Sequence, residues 1–170
     1  EFVVDERGEM WFLEVNARLQ VEHPVTEEVL GFDLVEQQLR IAMRERLVLP
    51  KAEPRGHAIQ ARVYAEDATS GFLPSTGRLL HVRWPDGVRV DSGYEEGDTI
   101  TSHYDPLVAK VIAHGADRDR ALDALADALE RTQVLGARTN VPFLLRYLSH
   151  SEVRAGRVTT PFVERELASL

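Results

Sequence analysis

The cluster of proline and glycine near residue 50 constrains the fold of this chain more than any other sequence feature. Proline fixes φ and lacks a backbone N–H, and glycine readily adopts positive φ. Neither a helix nor a central strand is therefore expected to persist through Pro50, Pro54 and Gly56. The sequence predicts an N-terminal segment over 1–48, a linker over 49–55 and a second domain over 56–170.

The two segments differ in how much core they can bury. The 170 residues are 44% hydrophobic and 28% charged, the composition of a chain that folds around a core. The segment 1–48 is too short to bury much apolar surface alone, so we expect it to pack on the second domain or on chain outside these residues. The sequence opens on the strand-like run Glu1–Val4 without an initiator Met, which suggests a fragment of a longer protein.

Charge and composition exclude several classes of function. Lys and Arg number 20 and Asp and Glu 28, for a net charge of −8, which argues against a nucleic-acid partner. The absence of Cys excludes disulfide scaffolds, Cys-bound zinc and thiol chemistry. No apolar run approaches the ~20 residues of a membrane span, and no signal peptide is present. We therefore expect no membrane partner and a cytoplasmic location, or the mitochondrial matrix in a eukaryote.

Periodicity and turn residues predict an α+β fold of antiparallel strands and helices. Alternating apolar residues predict strands, and apolar residues repeated every three or four positions predict helices. Asp33, with Glu36, and Asn140 are expected to cap helices. The predicted strands are 1–5, 9–17, 57–65, 77–83, 87–92 and 107–113, and the predicted helices are 24–30, 34–46, 117–133, 141–149 and 160–169.

The first two strands are expected to form a hairpin that gathers acidic residues. With Arg7-Gly8 as a two-residue loop, Glu1 lies opposite Glu14, and opposed residues share one face. Asn16 shares that face because side chains alternate along a strand. Facing carboxylates repel, and Mg²⁺, which prefers carboxylate, amide and phosphate oxygens, would compensate. The alternative is an exposed hairpin face whose acids are screened by water.

The alternation continues beyond the hairpin as a strip of polar residues. Arg18, Gln20 and Glu22 alternate with apolar residues until His23-Pro24 ends the strand. Arginine can bind a small planar oxyanion through two N–H groups, the amide can hydrogen-bond the same ion, and the carboxylate can accept its proton. Bicarbonate fits these requirements. The alternative is a solvated edge strand, and His23 by itself favours a structural hydrogen bond over metal binding.

These residues form part of a recognisable signature. The run Phe12-Leu13-Glu14-Val15-Asn16-Ala17-Arg18-Leu19-Gln20-Val21-Glu22-His23-Pro24-Val25-Thr26-Glu27 closely resembles that of the biotin carboxylase family of ATP-grasp ligases. The resemblance implies the end of an ATP-grasp domain followed by the biotin carboxylase C-terminal α+β domain. Further segments that resemble the family are 55–59, 62–67, 72–77, 87–93 and 104–110, with Gly136 and Thr139-Asn140.

The resemblance implies roles for residues at the nucleotide. Glu1, Glu14 and Asn16 resemble the ligands of Mg²⁺ (or Mn²⁺), and Glu1 and Glu14 thereby also contact ATP. Val3 is expected to bind ATP as part of an apolar floor for adenine, because the predicted register places it opposite Phe12. Phe162, near the C-terminus, is a further candidate for the other side of the adenine.

The resemblance also implies the residues that handle bicarbonate and biotin. Arg18, Gln20 and Val21 resemble the bicarbonate site, Val21 through its backbone N–H, and Glu22 resembles the general base. Arg89 resembles the arginine that stabilises carboxyphosphate and the biotin enolate, making it both a catalytic and a biotin-site candidate. Without the resemblance, a surface salt bridge is the ordinary expectation for Arg89.

The implied reaction needs partners that this sequence does not contain. It carboxylates biotin on a biotin carboxyl carrier domain, as the first half-reaction of an acyl-CoA carboxylase that includes a carboxyltransferase subunit. A homodimer through 56–170 is expected. In the family, the glycine-rich lid and the phosphate-binding lysines precede the region that this sequence resembles. We therefore expect the isolated 170 residues to be inactive. The alternatives are a non-catalytic dimerisation or assembly module, and another ATP-grasp ligase such as a carbamoyl-phosphate synthetase.

Overall fold

Residues 1–48 and 53–167 are described by the computed structural model, as a small N-terminal part and a larger α+β part. The N-terminal part is an antiparallel hairpin followed by two helices. Its elements are β1 (Phe2–Val4), β2 (Met10–Phe12), α1 (His23–Leu30) and α2 (Leu34–Ala42). The predicted linker falls largely on 49–52, outside the described residues, so the domain boundaries stay predictions.

The register of the hairpin differs by one residue from the prediction. Phe2 pairs with Phe12, and their rings meet edge to face at 5.7 Å between centroids. Val3 pairs with Trp11. Val3 and Phe12 therefore point to opposite faces of the hairpin, and the predicted shared floor for adenine is wrong.

The turn of the hairpin explains the shift. The carboxylate of Asp5 accepts the N–H groups of Arg7 (2.8 Å) and Glu9 (3.0 Å), and its carbonyl accepts the N–H of Gly8 (3.0 Å). Gly8 adopts φ 79°, so the loop has three residues and ends in a left-handed glycine. The hydrogen bond from the Glu9 N–H, with others from the turn, holds the pKa of Asp5 below its usual value. The predicted two-residue loop is wrong because Asp5 stabilises the longer turn.

The two N-terminal helices begin close to the predicted residues. Gly31, with φ 71°, ends α1. Asp33 caps α2 by accepting the N–H of Glu36 at 2.7 Å, as predicted. α2 ends at Ala42, before the predicted residue 46, and the chain turns away at Arg44, whose φ is 64°.

The larger part is built around a three-stranded antiparallel sheet. Its elements are β3 (His57–Tyr64), β4 (Glu66–Asp67), a 3₁₀ turn (Ala68–Ser70), β5 (Leu73–Pro74), β6 (Gly77–Arg78), β7 (His81–Arg83), β8 (Arg89–Ser92), β9 (Thr99–Ile100), β10 (Leu107–Gly115), α3 (Arg118–Arg131), β11 (Gln133–Leu135), α4 (Val141–Ser149), α5 (Ser151–Arg154) and α6 (Phe162–Glu166). β10 is the central strand between β3 and β8, and the pairs β4–β5, β6–β9 and β7–β11 form three separate two-stranded sheets.

One face of the central sheet carries the main hydrophobic core. α3 packs on this face, and its N-cap Asp117 accepts the N–H of Arg120 at 2.9 Å. The apolar positions of α3 repeat at helical spacing, so its buried residues all face the sheet. The buried core consists of Ala61, Val63, Val111, Ala113, Leu122, Leu125, Ala128, Leu129, Val141 and Leu148.

The opposite face of the sheet carries charged residues in register. Lys110 on β10 lies opposite Arg62 on β3 and opposite Asp91 on β8. Two residues further along β10, Ile112 lies opposite Arg89. α1 contacts β3 and β10, so the N-terminal part is joined to the larger part over this charged face.

Two residues of the larger part have roles that the sequence did not predict. Asn140 precedes α4 but makes no side-chain cap; it accepts the N–H of Tyr64 (2.9 Å) and donates to the carbonyl of Arg62 (3.1 Å). Phe162 is fully buried, with its ring 5.9 Å from that of Tyr147. Its predicted place over adenine is therefore wrong, because the ring is part of a core cluster.

Within residues 1–48 and 53–167, no helix is both long enough and apolar enough to cross a membrane.

Candidate active site

Glu1, Glu14 and Asn16 meet at the open end of the hairpin. The Asn16 side-chain amide donates to Glu14 Oε1 at 3.0 Å and to Glu1 Oε2 at 3.5 Å. Leu13, not Glu14, is the partner of Glu1, because its N–H donates to the Glu1 carbonyl at 2.8 Å. The predicted opposition is thus wrong. The three side chains still converge, because β2 ends at Phe12 and the following backbone leaves the pleated register.

This cluster offers oxygen atoms that suit a hard divalent cation. Both carboxylates are exposed, and both accept a hydrogen bond from the Asn16 amide. Mg²⁺ prefers such oxygens and completes its shell with water and phosphate. No group of three or more His, Cys, Asp or Glu in the described part of the chain could hold a metal ion. Two carboxylates and one amide leave coordination positions of Mg²⁺ that water or phosphate oxygens can complete.

Arg18 connects this cluster to the polar strip. Its guanidinium donates to Asn16 Oδ1 (3.4 Å), to Gln20 Oε1 (3.4 Å) and to the carbonyl of Leu19 (3.2 Å). These contacts are long and exposed, so they leave Arg18 able to exchange them for an anion. Arg18 and Gln20 therefore lie together, as the strip requires.

Glu22 is held by a residue of the central sheet. Its Oε2 lies 3.1 Å from Nη2 of Arg62 on β3, across the junction of the two parts. Both side chains remain accessible, with 57% and 40% of their surfaces exposed. Glu22 is the residue preceding α1, and the polar face of the sheet supplies its cation.

A cavity of about 370 Å³ lies beside these residues. It is lined on one side by the polar strip and the start of α1, and on the other by α2. This volume suits a small ligand in a largely preformed site. The lining residues are Arg18, Leu19, Gln20, Glu22, His23, Thr26, Leu34 and Gln38.

Arg89 pairs with carboxylates that are not part of the polar strip. Its Nε and Nη2 donate to the two oxygens of Asp91 (2.9 and 3.2 Å), and its Nη1 donates to Glu27 Oε2 at 2.7 Å. The hydrogen bonds to Asp91 and Glu27 raise the pKa of Arg89. The structure therefore brings Arg18, Gln20 and Glu22 together but engages Arg89 with other carboxylates.

Asp91 is the centre of this second charge cluster. It also accepts Lys110 Nζ at 3.0 Å. Burial raises the pKa of Asp91, but the hydrogen bonds from Arg89 and Lys110 outweigh it, so the pKa lies below its usual value. Asp91 therefore orients the side chains of two cations on the sheet, Arg89 and Lys110.

Sequence reasoning assigned no role to Arg62, although its segment belongs to the resemblance. A usable signal was present, because Arg62 is a lone cation between Ala61 and Val63, which are buried on the core face. By strand alternation Arg62 must then point to the face opposite the core. Its pairing with Glu22 depends on how α1 packs, which local sequence patterns do not specify.

Comparison with known families gives the class of protein that this fold and site define. Residues 1–49 match the family described as "Carbamoyl-phosphate synthase L chain, ATP binding domain". The hairpin and polar strip thus lie in the segment that is similar to this ATP-binding domain.

Residues 60–165 match the family described as "Biotin carboxylase C-terminal domain". This match covers more than half of the chain, and the chain belongs to the biotin carboxylase family.

Individual relatives agree with this assignment. The chain is 48% identical to the mitochondrial methylcrotonoyl-CoA carboxylase subunit alpha of Arabidopsis thaliana, over 100% of this chain and 24% of the relative. It is 44% identical to biotin carboxylase 2 of Bacillus subtilis, over 98% of this chain and 38% of the relative. The chain therefore spans only a quarter to two fifths of these proteins.

A solved structure shows the same fold. The biotin carboxylase domain dimer of 2-oxoglutarate carboxylase from Hydrogenobacter thermophilus, in complex with MgADP, ADP and bicarbonate, has a TM-score of 0.93 and 38% identity. The match covers 97% of this chain and 37% of that chain. The overall arrangement of the two parts is thus that of a biotin carboxylase domain.

Proposed function

We propose that this chain supplies part of the active site of a biotin carboxylase. The full-length protein uses Mg-ATP and bicarbonate to carboxylate biotin on a carrier protein through carboxyphosphate, the first half-reaction of an acyl-CoA carboxylase. The observation that carries the proposal is the 3.1 Å contact between Glu22 and Arg62, beside a cavity lined by Arg18 and Gln20. The similar domain that was solved with MgADP and bicarbonate supports it.

Three groups are proposed to bind bicarbonate. Arg18 and Gln20 lie 3.4 Å apart, so one planar anion can accept from the guanidinium and the side-chain amide together. Val21 adds its backbone N–H, which follows Gln20 directly in the chain. Together these donors favour the anion over neutral ligands and orient it toward the neighbouring carboxylate.

Glu22 is proposed to act as the general base. It takes the proton of bicarbonate, and the resulting oxyanion attacks the γ-phosphorus of ATP while the bond to the ADP oxygen breaks. Carboxyphosphate then transfers its carboxyl group to N1 of biotin as its bond to the phosphate oxygen breaks, and inorganic phosphate leaves with the proton from N1. Arg62 reaches the same carboxylate, so it is placed to stabilise the anions that form there. Such reactions depend mainly on positioning and electrostatic stabilisation.

The acidic cluster is proposed to hold the metal of Mg-ATP. Glu1, Glu14 and Asn16 would bind Mg²⁺ (or Mn²⁺), which when bound neutralises charge on the phosphates. Val3 stays a proposed ATP contact, on the hairpin face that it shares with Trp11.

Arg89 stays a candidate for stabilising carboxyphosphate and the biotin enolate. Its ion pairs with Glu27 and Asp91 would have to rearrange before it could contact either. Arg62 already lies against Glu22, the proposed base, so we assign this role primarily to Arg62.

The test uses the full-length protein that contains this chain. It measures the ADP release that depends on bicarbonate and biotin. Replacing Glu22 by Gln keeps the size of the side chain and removes the base, so the rate should fall about 100-fold or more. Glu45→Gln is the matched control, because Glu45 is exposed and its carboxylate pairs with Arg40 on α2. No bicarbonate-dependent ADP release by the unaltered protein would contradict the proposed function.

A second test addresses the metal cluster. Glu14→Gln should raise the Mg²⁺ concentration for half-maximal activity about tenfold, because one charged oxygen ligand is lost. Glu9→Gln, in the same exposed hairpin, is the control. An unchanged Mg²⁺ requirement in Glu14→Gln would place the metal elsewhere.

The full-length protein is further proposed to work with a biotin carboxyl carrier and a carboxyltransferase subunit. Relatives are named as carboxylase subunits from mitochondria and as a bacterial biotin carboxylase. We propose a location in the cytoplasm or the mitochondrial matrix on this basis. The isolated 170-residue chain is proposed to be inactive, so bicarbonate-dependent ATP cleavage by it above the Glu22→Gln level would contradict this statement.

Assembly through the larger part is a second proposed role, supported by the dimer in the similar solved structure. Light scattering on the full-length protein tests it. A dimer is expected, and a monomer at micromolar concentration would contradict the role.

A further inference from the structure

Glu27 is the only buried charged side chain among residues 1–48 and 53–167, with 5% of its surface exposed. Burying a carboxylate costs several kcal/mol unless charged and hydrogen-bonding partners compensate. Glu27 also lies in the last turn of α1, where the helix dipole disfavours a negative charge. Burial and the helix dipole therefore both disfavour a charged Glu27, so its contacts must compensate for this cost.

The contacts of Glu27 join three elements. Its Oε1 accepts the N–H of Leu34, the first residue of α2, at 2.6 Å. Its Oε2 accepts Nη1 of Arg89 on β8 at 2.7 Å. His23, one turn earlier on α1, places its Nε2 4.0 Å from the same oxygen. One carboxylate thus ties α1 to α2 and both helices to the sheet.

These helices form the two walls of the active-site cavity. α1 contributes Glu22, at its start, and His23, while α2 contributes Leu34 and Gln38. Glu27 does not line the cavity, so it lies behind both walls. A shift of either helix would change the width of the cavity without removing any group that contacts substrate.

Glu27 also sets how α1 lies on the sheet. Glu22, at one end of α1, is paired with Arg62, and Glu27, near the other end, is paired with Arg89. Arg62 and Arg89 lie on the two outer strands, about 10 Å apart across the sheet. These two ion pairs therefore fix α1 at both ends, and the direction of Glu22 depends on the second pair.

His23 connects Glu27 to the polar strip through contacts on both sides of its ring. Its Nδ1–H donates to the carbonyl of Gln20 at 2.6 Å, and its side chain is only 10% exposed. The ring lies between the strip and Glu27. Movement at Glu27 is thus transmitted to the backbone that carries the proposed bicarbonate donors.

We propose that Glu27 is a positioning residue for bicarbonate, which holds the α1 and α2 walls and the Gln20–Glu22 segment in the geometry for proton transfer. The proposal rests on the proposed function. Misplacement of reacting groups by about 1 Å can cost about 100-fold in rate.

The test compares Glu27→Gln with Glu28→Gln in the full-length protein, following bicarbonate-dependent ADP release with biotin. Glu28 is the matched control, because it lies on the same helix 3.7 Å from Arg89 and its side chain is 31% exposed. Glu27→Gln should raise the apparent KM for bicarbonate about fivefold and lower kcat about tenfold or more. The apparent KM for ATP should change less than about twofold, because the acidic cluster does not contact Glu27.

Glu27→Asp separates positioning from folding. It keeps the charge on a shorter side chain, so its bicarbonate KM and kcat should lie between those of the unaltered protein and Glu27→Gln. Equal kinetics of Glu27→Gln and Glu28→Gln would overturn the inference, as would loss of folded protein in both Glu27 variants or an equal rise of both KM values. An inactive unaltered protein would instead refute the proposed function.

Discussion

The N-terminal part and the larger part are stabilised in different ways. In residues 1–48, only Pro24 and Glu27 are buried, and both lie on α1, where it meets the sheet. The larger part buries a continuous core between the central sheet and α3. The N-terminal part is thus shaped by local turns and by charge pairs at the junction, while the larger part is shaped by apolar packing.

The two parts also contribute different groups to the candidate site. The N-terminal part contributes the acidic cluster and the polar strip, whose side chains are exposed or partly exposed to solvent. The larger part contributes Arg62 from a strand that is fixed by the core. The proposed base and its cation therefore come from a weakly buried part and a strongly buried part, respectively.

The largest expected effect is on the core of the larger part. Leu125 is fully buried, whereas Phe12 is 61% exposed. Leu125→Ala should lower the free energy of unfolding by about 3 kcal/mol, because it leaves a cavity. Phe12→Ala should cost less than about 1 kcal/mol. Urea unfolding measures both, and equal losses would contradict the contrast between the two parts.

A smaller effect distinguishes two asparagines. Asn140 is 6% exposed, so Asn140→Ala removes the side-chain partner of the part-buried Tyr64 N–H and Arg62 carbonyl at a cost of about 2 kcal/mol. The side-chain hydrogen bonds that Asn16 makes within the described residues are exposed, and Asn16→Ala should change the free energy of unfolding by less than about 0.5 kcal/mol. Differential scanning calorimetry tests the pair. A larger loss in Asn16→Ala would indicate that the acidic cluster stabilises the fold.

The charge cluster at the junction predicts a pH dependence. The pKa of Asp91 is below its usual value of 3.8, so the folded state binds its proton less readily than the unfolded state. The stability that this gives is complete well above pH 3.8 and is lost as the pH falls through the lower folded pKa. The difference in unfolding free energy between the unaltered protein and Asp91→Asn should therefore shrink as the pH falls from about 5 to about 3.

Asp86→Asn, at an exposed loop residue, is the control for this series. The contrary result is a difference in the free energy of unfolding between the unaltered protein and Asp91→Asn that stays constant with pH. That result would show that the ion pairs of Asp91 do not stabilise the junction.

The smallest effect on stability is expected at the proposed base. Glu22 and Arg62 are 57% and 40% exposed, and ion pairs between exposed groups contribute about 0 to 1 kcal/mol. Glu22→Gln should therefore leave the melting temperature almost unchanged. A loss comparable to that of Leu125→Ala would mean that Glu22 is mainly a structural residue.

The sequence predicted local features well where one residue type determines them. Asp33 caps α2, and Gly31 ends α1, because capping and left-handed geometry depend on few atoms. The hairpin register was missed because Asp5, through its contacts with Arg7 and Glu9, stabilises a three-residue loop. Local propensity does not distinguish that loop from a two-residue one.

The candidate site was predicted only within one continuous segment. Alternation along the chain predicted that Arg18, Gln20 and Glu22 act together, and they do line one cavity, although β2 ends at Phe12 and no strand holds them. The contacts of Glu22 with Arg62 and of Arg89 with Glu27 join residues 40 and 62 positions apart. Such pairs depend on tertiary packing of α1 on the sheet, so they were not foreseen.

The central claim is that a base from one part and a cation from the other act as a unit. A double-mutant cycle of Glu22→Gln and Arg62→Gln in the full-length protein tests it through kcat/KM for bicarbonate. Each single change should lower kcat/KM about 100-fold, and the double change should be little worse than either, because groups that act together are not additive. Losses that multiply to about 10,000-fold would show that the two residues act independently and would contradict the claim.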